Sequence, residues 1–227
     1  MVKCSNCGTE ITKKYCPECG QKYTSTRITI LSLVHELLDS FFSLDGSFWR
    51  NFVMILSNPR LIVENYWNGF RNYYFSPFRF IIISTLFLGL NFLFTTNKFL
   101  EIKISTNSPY VTLPVVMYVI FLPIFTLTTR AIYFRFKRNF LEHLVLNSYT
   151  MAIWTIVFSL ISILINEVGI NLVYNPFILL YLLSIIIWNS LIFEISKMKR
   201  VFFVLLHFSL FASLFIAIFY LGTRVSS

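Results

Sequence analysis

The chain's four cysteines stand at positions 4, 7, 16 and 19. They fall as two pairs, Cys4-Ser-Asn-Cys7-Gly8 and Cys16-Pro-Glu-Cys19-Gly20. A CxxC turn sets two sulfurs on one side of an ion, and a second pair a short hairpin away closes the other side. Four thiolates in a tetrahedron suit zinc, and a site filled by four protein ligands is structural, not catalytic. Gly8 and Gly20 follow the second Cys of each pair, where the knuckle needs positive φ. So short a head has almost no apolar core, so metal binding must supply its folding energy. An iron–sulfur centre or a redox dithiol is the rival chemistry. A thioredoxin-like CxxC needs a βαβ context that the sequence lacks. Thiols gathered in one place, with none elsewhere, indicate a reducing compartment.

Other reactive residues are sparse. His35-Glu36-Leu37-Leu38-Asp39 resembles a metalloprotease HExxH with its last ligand replaced. A zincin needs two His one turn apart, and the chain has three His in all, so His35 reads as an ordinary interfacial residue. Glu142-His143, with Asn147 one turn on, reads as a group at a helix start rather than a reactive cluster. His207 is the one ionisable side chain well inside an apolar run, and such a residue is a functional candidate by default. The plainer expectation is a neutral His207 bonded to Asn91, Asn147 or Asn189 on another helix. No Asp, Glu, Lys or Arg falls near the middle of an apolar run, whereas ion-coupled transporters normally need some. There is no P-loop, dinucleotide fingerprint or nucleophile elbow.

The elements that must position these residues are mostly apolar. Hydrophobic residues make up 56% of the chain and charged ones 13%, against about a quarter charged in soluble domains. The apolar runs are Phe78–Thr96, Val111–Thr129, Leu144–Ile165, Val173–Phe193 and Val201–Leu221. Each is close to the ~20 residues that a helix needs to cross a bilayer, and open strands cannot cross. The expected fold is therefore an all-α membrane protein of about five transmembrane helices. Residues 1–23 would be the zinc ribbon, 24–76 a set of juxtamembrane interfacial helices, and 77–222 the transmembrane domain. Ser76-Pro77 and Asn175-Pro176 mark helix starts, and Pro123 should kink the second span.

Lys and Arg set the orientation. Sixteen of the nineteen precede the first run, stand at its very start (Arg79) or lie in the second and fourth loops, and only Lys98, Lys103 and Arg224 lie on the other side. The positive-inside rule places the N-terminus in the cytosol and the C-terminus outside. It also explains the net charge of +9 without nucleic acid, an unlikely partner. The CxxC pairs then fall in the reducing compartment.

Residues 29–57 carry apolar positions at spacings of three and four, as in amphipathic helices lying in the membrane plane. Asn58-Pro59 should start a further helix and Gly69 stop it. Arginines and aromatics interleave beyond, as in an interfacial belt. Arg60, Tyr66, Trp67, Arg71 and Tyr74 form a candidate contact for a lipid headgroup or a protein partner.

Cys4–Gly8, Tyr15-Cys16-Pro17-Glu18-Cys19-Gly20-Gln21, Arg27-Ile28-Thr29 and the series Tyr66, Gly69, Arg71, Tyr74, Pro77 together resemble an uncharacterised bacterial membrane-protein family, a domain of unknown function. Its members pair a CxxCG…YCxxCGQ ribbon with a Pro…YxxGxRxxYxxP stretch before their helices. The resemblance covers roughly residues 1–85. It implies a Bacteroidetes-like inner-membrane protein and no activity. Function is thus expected as a membrane-anchored adaptor or regulator that contacts the bilayer and a protein partner. A small permease or lipid-handling protein built on Asn91, Asn147, Asn189 and His207 comes next, and a membrane enzyme acting at the cytosolic face third.

Overall fold

The structure, a computed structural model, describes residues 2–4, 7–11, 15–19, 23, 28–34, 48–71, 74–95, 98–99, 102–103, 116–168 and 177–225. His35, Gly20 and Asn175-Pro176 lie outside the described residues. Near the N-terminus, β1 (Val2–Lys3) pairs antiparallel with β2 (Glu10–Ile11), setting Val2 opposite Ile11. A single helical turn covers residues 30–34. Then come α1 (Phe48–Ser57), α2 (Pro59–Trp67) and α3 (Pro77–Thr95). A small hairpin follows, β3 (Lys98–Phe99) with β4 (Ile102–Lys103). A π-helical turn at Val116–Phe121 runs into α4 (Leu122–Ile132), and α5 (Phe140–Val168), α6 (Phe177–Ile192) and α7 (Lys197–Val225) complete the chain.

Three helices are long and apolar enough to cross a membrane: Pro77–Thr95, Phe140–Val168 and Lys197–Ile218. Shorter apolar helices, Tyr118–Ile132 and Phe177–Ile192, occupy the second and fourth runs. The beginnings of both runs, 111–115 and 173–176, lie outside the described residues. The irregularity expected from Pro123 takes the form of the π turn that ends just before it. Proline offers no N–H to the ladder, and a wider turn upstream absorbs the mismatch.

α5 is the central helix, packed against α3, α4 and α6, while α7 lies against α4 and α6. Small side chains let the helices approach: Ser148, Ala152, Ser159 and Ser162 of α5 are all buried. Such residues are favoured where helices meet without a hydrophobic drive between them. α2 lies against α5 and α6. One apolar cluster runs through Cys4, Ile11, Cys16 and Ile28 to Ile62, Tyr66, Tyr149 and Phe193. The packing therefore crosses the sequence boundaries at 23 and 76. Outward, α1 and the turn before it show Ile30, Leu31, Trp49 and Val53, all exposed, an apolar face of the kind an in-plane helix needs.

The ends of α2 follow its sequence. Asn58 Oδ1 accepts from Leu61 N–H at 3.3 Å and Pro59 takes the first helical position, where its missing N–H costs nothing. At the other end Gly69 has φ +95°. Its N–H donates to Tyr66 O at 3.2 Å, and Phe70 N–H donates to Asn65 O at 3.0 Å, the Schellman pair of bonds that satisfies the last carbonyls. Phe70 then meets the ring of Tyr23 at 5.3 Å, joining the head to this corner. Gly69→Ala should destabilise the protein by about 1–2 kcal/mol, because an L side chain is strained at positive φ. Gly69→Asn should lose less. Thermal unfolding in detergent checks both, and an unchanged Ala variant would refute the assignment.

Candidate metal centre and buried polar clusters

The β1–β2 hairpin carries the first knuckle. Cys4 N–H donates to Thr9 O at 2.8 Å and Gly8 N–H to Cys4 O at 2.9 Å, with Gly8 at φ +76°. That turn brings Cys7 back beside Cys4 and faces both to the second pair. Cys4 and Cys19 sulfurs lie 3.5 Å apart, Cys7 and Cys16 3.5 Å, and Cys7 and Cys19 3.6 Å. All four sulfurs lie within 4.8 Å of one another. A tetrahedral thiolate site with metal–sulfur bonds of about 2.3 Å has sulfur–sulfur edges of about 3.8 Å. The donor set therefore fits a metal ion with little movement. Cys4 and Cys16 are buried, Cys7 and Cys19 exposed.

Cys7 is prepared for ligation. Its sulfur lies 3.4 Å from Thr9 Oγ1, and hydrogen bonds from the Thr9 hydroxyl and then the Thr9 backbone N–H lower its pKa from 9.0 to about 6. A depressed acid stabilises the fold above its unfolded pKa and loses that contribution as pH falls through the folded value. The Cys7 thiolate is thus fully favoured above pH 9 and fades toward pH 6. Protons compete with metal for the other thiolates in the same direction. Metal content followed by elemental analysis after dialysis should hold at neutral pH and fall in acid, as protons displace the metal from the thiolates. Retention at pH 4 would contradict this ordering.

Four of the five juxtamembrane candidates come together as a corner inside the protein. Tyr66, Trp67, Arg71 and Tyr74 are buried. Arg71 lies 5.7 Å over the Tyr66 ring, Tyr66 meets Tyr149 of α5 edge-on at 5.8 Å, and Tyr74 Oη accepts from Asn65 Nδ2 at 2.7 Å. Trp67 Nε1–H donates to Glu142 O at 3.0 Å, and the Arg138 guanidinium lies 4.4 Å over its ring. Only Arg60 is substantially exposed, bonding Glu64 at 2.8 Å and Glu194 at 2.5 Å. Those bonds, Glu194's first, raise its pKa further.

Glu142 has a helix-start role. Its carboxylate accepts from Asn139 N–H at 2.7 Å, and Asn139 Oδ1 accepts from Glu142 N–H at 2.7 Å, a reciprocal capping box. Asn139 Nδ2 also donates to Ile28 O at 3.1 Å. His143 is fully buried, and its ring nitrogens have no hydrogen-bond partner among the described residues.

The four intramembrane candidates do not gather in one place. Asn147 and Asn189 meet: Asn189 Nδ2 donates to Asn147 Oδ1 at 2.8 Å, Thr150 Oγ1 to Asn189 Oδ1 at 2.9 Å, and Asn147 Nδ2 to His143 O at 2.8 Å and Thr129 Oγ1 at 3.2 Å. Asn91 donates instead to Ser159 O at 3.2 Å, tying α3 to α5. His207 pairs with none of the asparagines, which corrects the expectation. Its Nε2 meets Thr128 Oγ1 at 2.8 Å, because α7 packs on α4 and α6. Neighbouring Thr128 and Thr129 face opposite ways, one to α7 and one to α5. Asn91, Asn147, Asn189 and His207 thus tie helices to one another.

Sequence reasoning missed Tyr149, Thr128, Asn139 and Arg138. For Asn139 a signal was there, since Asn-x-x-Glu before an apolar run is a helix-start signature. Comparison with family models, with curated proteins and with solved structures finds no match.

Proposed function

We propose that the chain is a membrane-anchored adaptor or regulator whose N-terminal head is a structural zinc ribbon facing the cytosol. The carrying observation is the closed set of four sulfurs at Cys4, Cys7, Cys16 and Cys19, all within 4.8 Å, a geometry with no open position for catalysis. All five apolar runs cross a bacterial inner membrane, with the C-terminus outside; the three long helices and the charge bias support this. The resemblance to the bacterial family with a ribbon and a YxxGxRxxYxxP stretch supports it too. Buried asparagines that bond across helices give the bundle a role in holding itself together. The carboxylates nearest the cytosolic face are engaged, Glu142 in a helix cap and Glu194 with Arg60. Lipid handling is the second reading, favoured by the groove described next.

The test is affinity purification at native abundance in mild detergent, comparing the parent protein with Cys16→Ser, Cys19→Ser protein shown to insert. A partner lost only from the variant supports a docking ribbon. Identical partners in both would sink the adaptor reading.

A further inference from the structure

Between α4 and α7 a groove of about 600 Å³ opens, within the range of about 300–1,000 Å³ usual for ligand sites. It lies at the end of the bundle that carries the basic loops. Its wall is apolar, with Phe202, Leu206 and Leu210 recurring every fourth residue along one face of α7. Its rim is charged. Arg135 comes from the turn after α4, Lys199 from the first turn of α7, and Glu194 from the loop before it. Glu194 is already held by Arg60 at 2.5 Å. Neither Arg135 nor Lys199 has an acidic partner among the described residues, and both are exposed.

A greasy trough with two uncompensated cations at its mouth is complementary to an amphiphile with an anionic head. We propose that the groove binds one anionic phospholipid of the surrounding leaflet. Its headgroup phosphate sits on Arg135 and Lys199, and an acyl chain runs along Phe202, Leu206 and Leu210. Basic pockets between membrane helices on the cytosolic side select anionic headgroups. A soluble anion would leave the trough unused, and a neutral lipid would leave the cations uncompensated. This site is independent of the ribbon and goes beyond the adaptor reading.

The full chain in detergent, offered equal phosphatidylglycerol and phosphatidylcholine and read by native mass spectrometry, should retain one phosphatidylglycerol in preference. Each basic side chain contributes about a fivefold preference, so Arg135→Gln, Lys199→Gln protein should bind it about thirtyfold more weakly at low salt. Both side chains are exposed, so this variant leaves the packing intact. Leu206→Trp, which fills the trough, should reduce retention of both lipids. Equal retention of the two lipids by the parent, or undiminished phosphatidylglycerol binding by the double Gln variant, would overturn the proposal.

Discussion

Cys16→Ser, Cys19→Ser protein is expected to bind no metal and to lose the β1–β2 hairpin, while its helices stay folded. Apparent binding free energies of structural zinc in small fingers are about 10–16 kcal/mol, far more than two short strands could recover without it. The head contributes few buried apolar groups of its own, chiefly Cys4, Ile11 and Cys16. The helical bundle keeps its own contacts among α3, α4, α5 and α6. Limited proteolysis should therefore cut the head rapidly in the variant, and a chelator should do the same to the parent. The main thermal transition of the detergent-solubilised protein should hardly move. A variant head as protease-resistant as the parent's would refute metal-dependent folding. A collapse of the whole protein would mean that the head is integral to the bundle.

Tyr149→Ala should be the most damaging single change in the bundle. Tyr149 is fully buried, meets the rings of Tyr66 and Phe80 at 5.8 Å each, and donates its hydroxyl to Phe75 O at 2.7 Å. Truncating a buried aromatic residue costs about 3–5 kcal/mol. The Phe variant keeps the ring and loses one hydrogen bond, about 1 kcal/mol. Unfolding in mixed micelles at rising denaturing-detergent fraction separates the two. A Tyr149→Ala protein within 1 kcal/mol of the parent would mean that this corner does not hold α2 to α5.

How much of this could be read from sequence depends on how local each signal is. The gathering of Cys4, Cys7, Cys16 and Cys19 into a cluster that could hold a metal ion was legible because they stand at fixed short spacings, and the hairpin that unites them is nearly contiguous. The ends of α2 were legible for the same reason, since Asn58, Pro59 and Gly69 act on backbone within a turn of themselves. The partner of His207 was not. α3, α5 and α6 are apolar on every side, so no stripe marks the face that meets a neighbour, and an Asn or His in such a run has several helices to choose from. Tyr66, Trp67 and Arg71 were ambiguous for another reason. Aromatics interleaved with arginine suit a headgroup belt, yet the same side chains can cap a buried corner, where the guanidinium lies over a ring. Contacts from a distant part of the chain, Tyr149 on Tyr66 and Glu142 and Arg138 on Trp67, separate the two.

The bond from Asn139 Nδ2 to Ile28 O spans 111 residues, and it orders events during synthesis. Ile28 leaves the ribosome long before the side chain that will hold it. At roughly 5–20 residues per second, the interval is about 6–22 s. The four cysteines leave together before it begins, but the bond to Asn139 must wait until α5 has begun. The N-terminal cysteines therefore emerge first, and this particular link to the start of α5 closes only after α3 and α4 have been made.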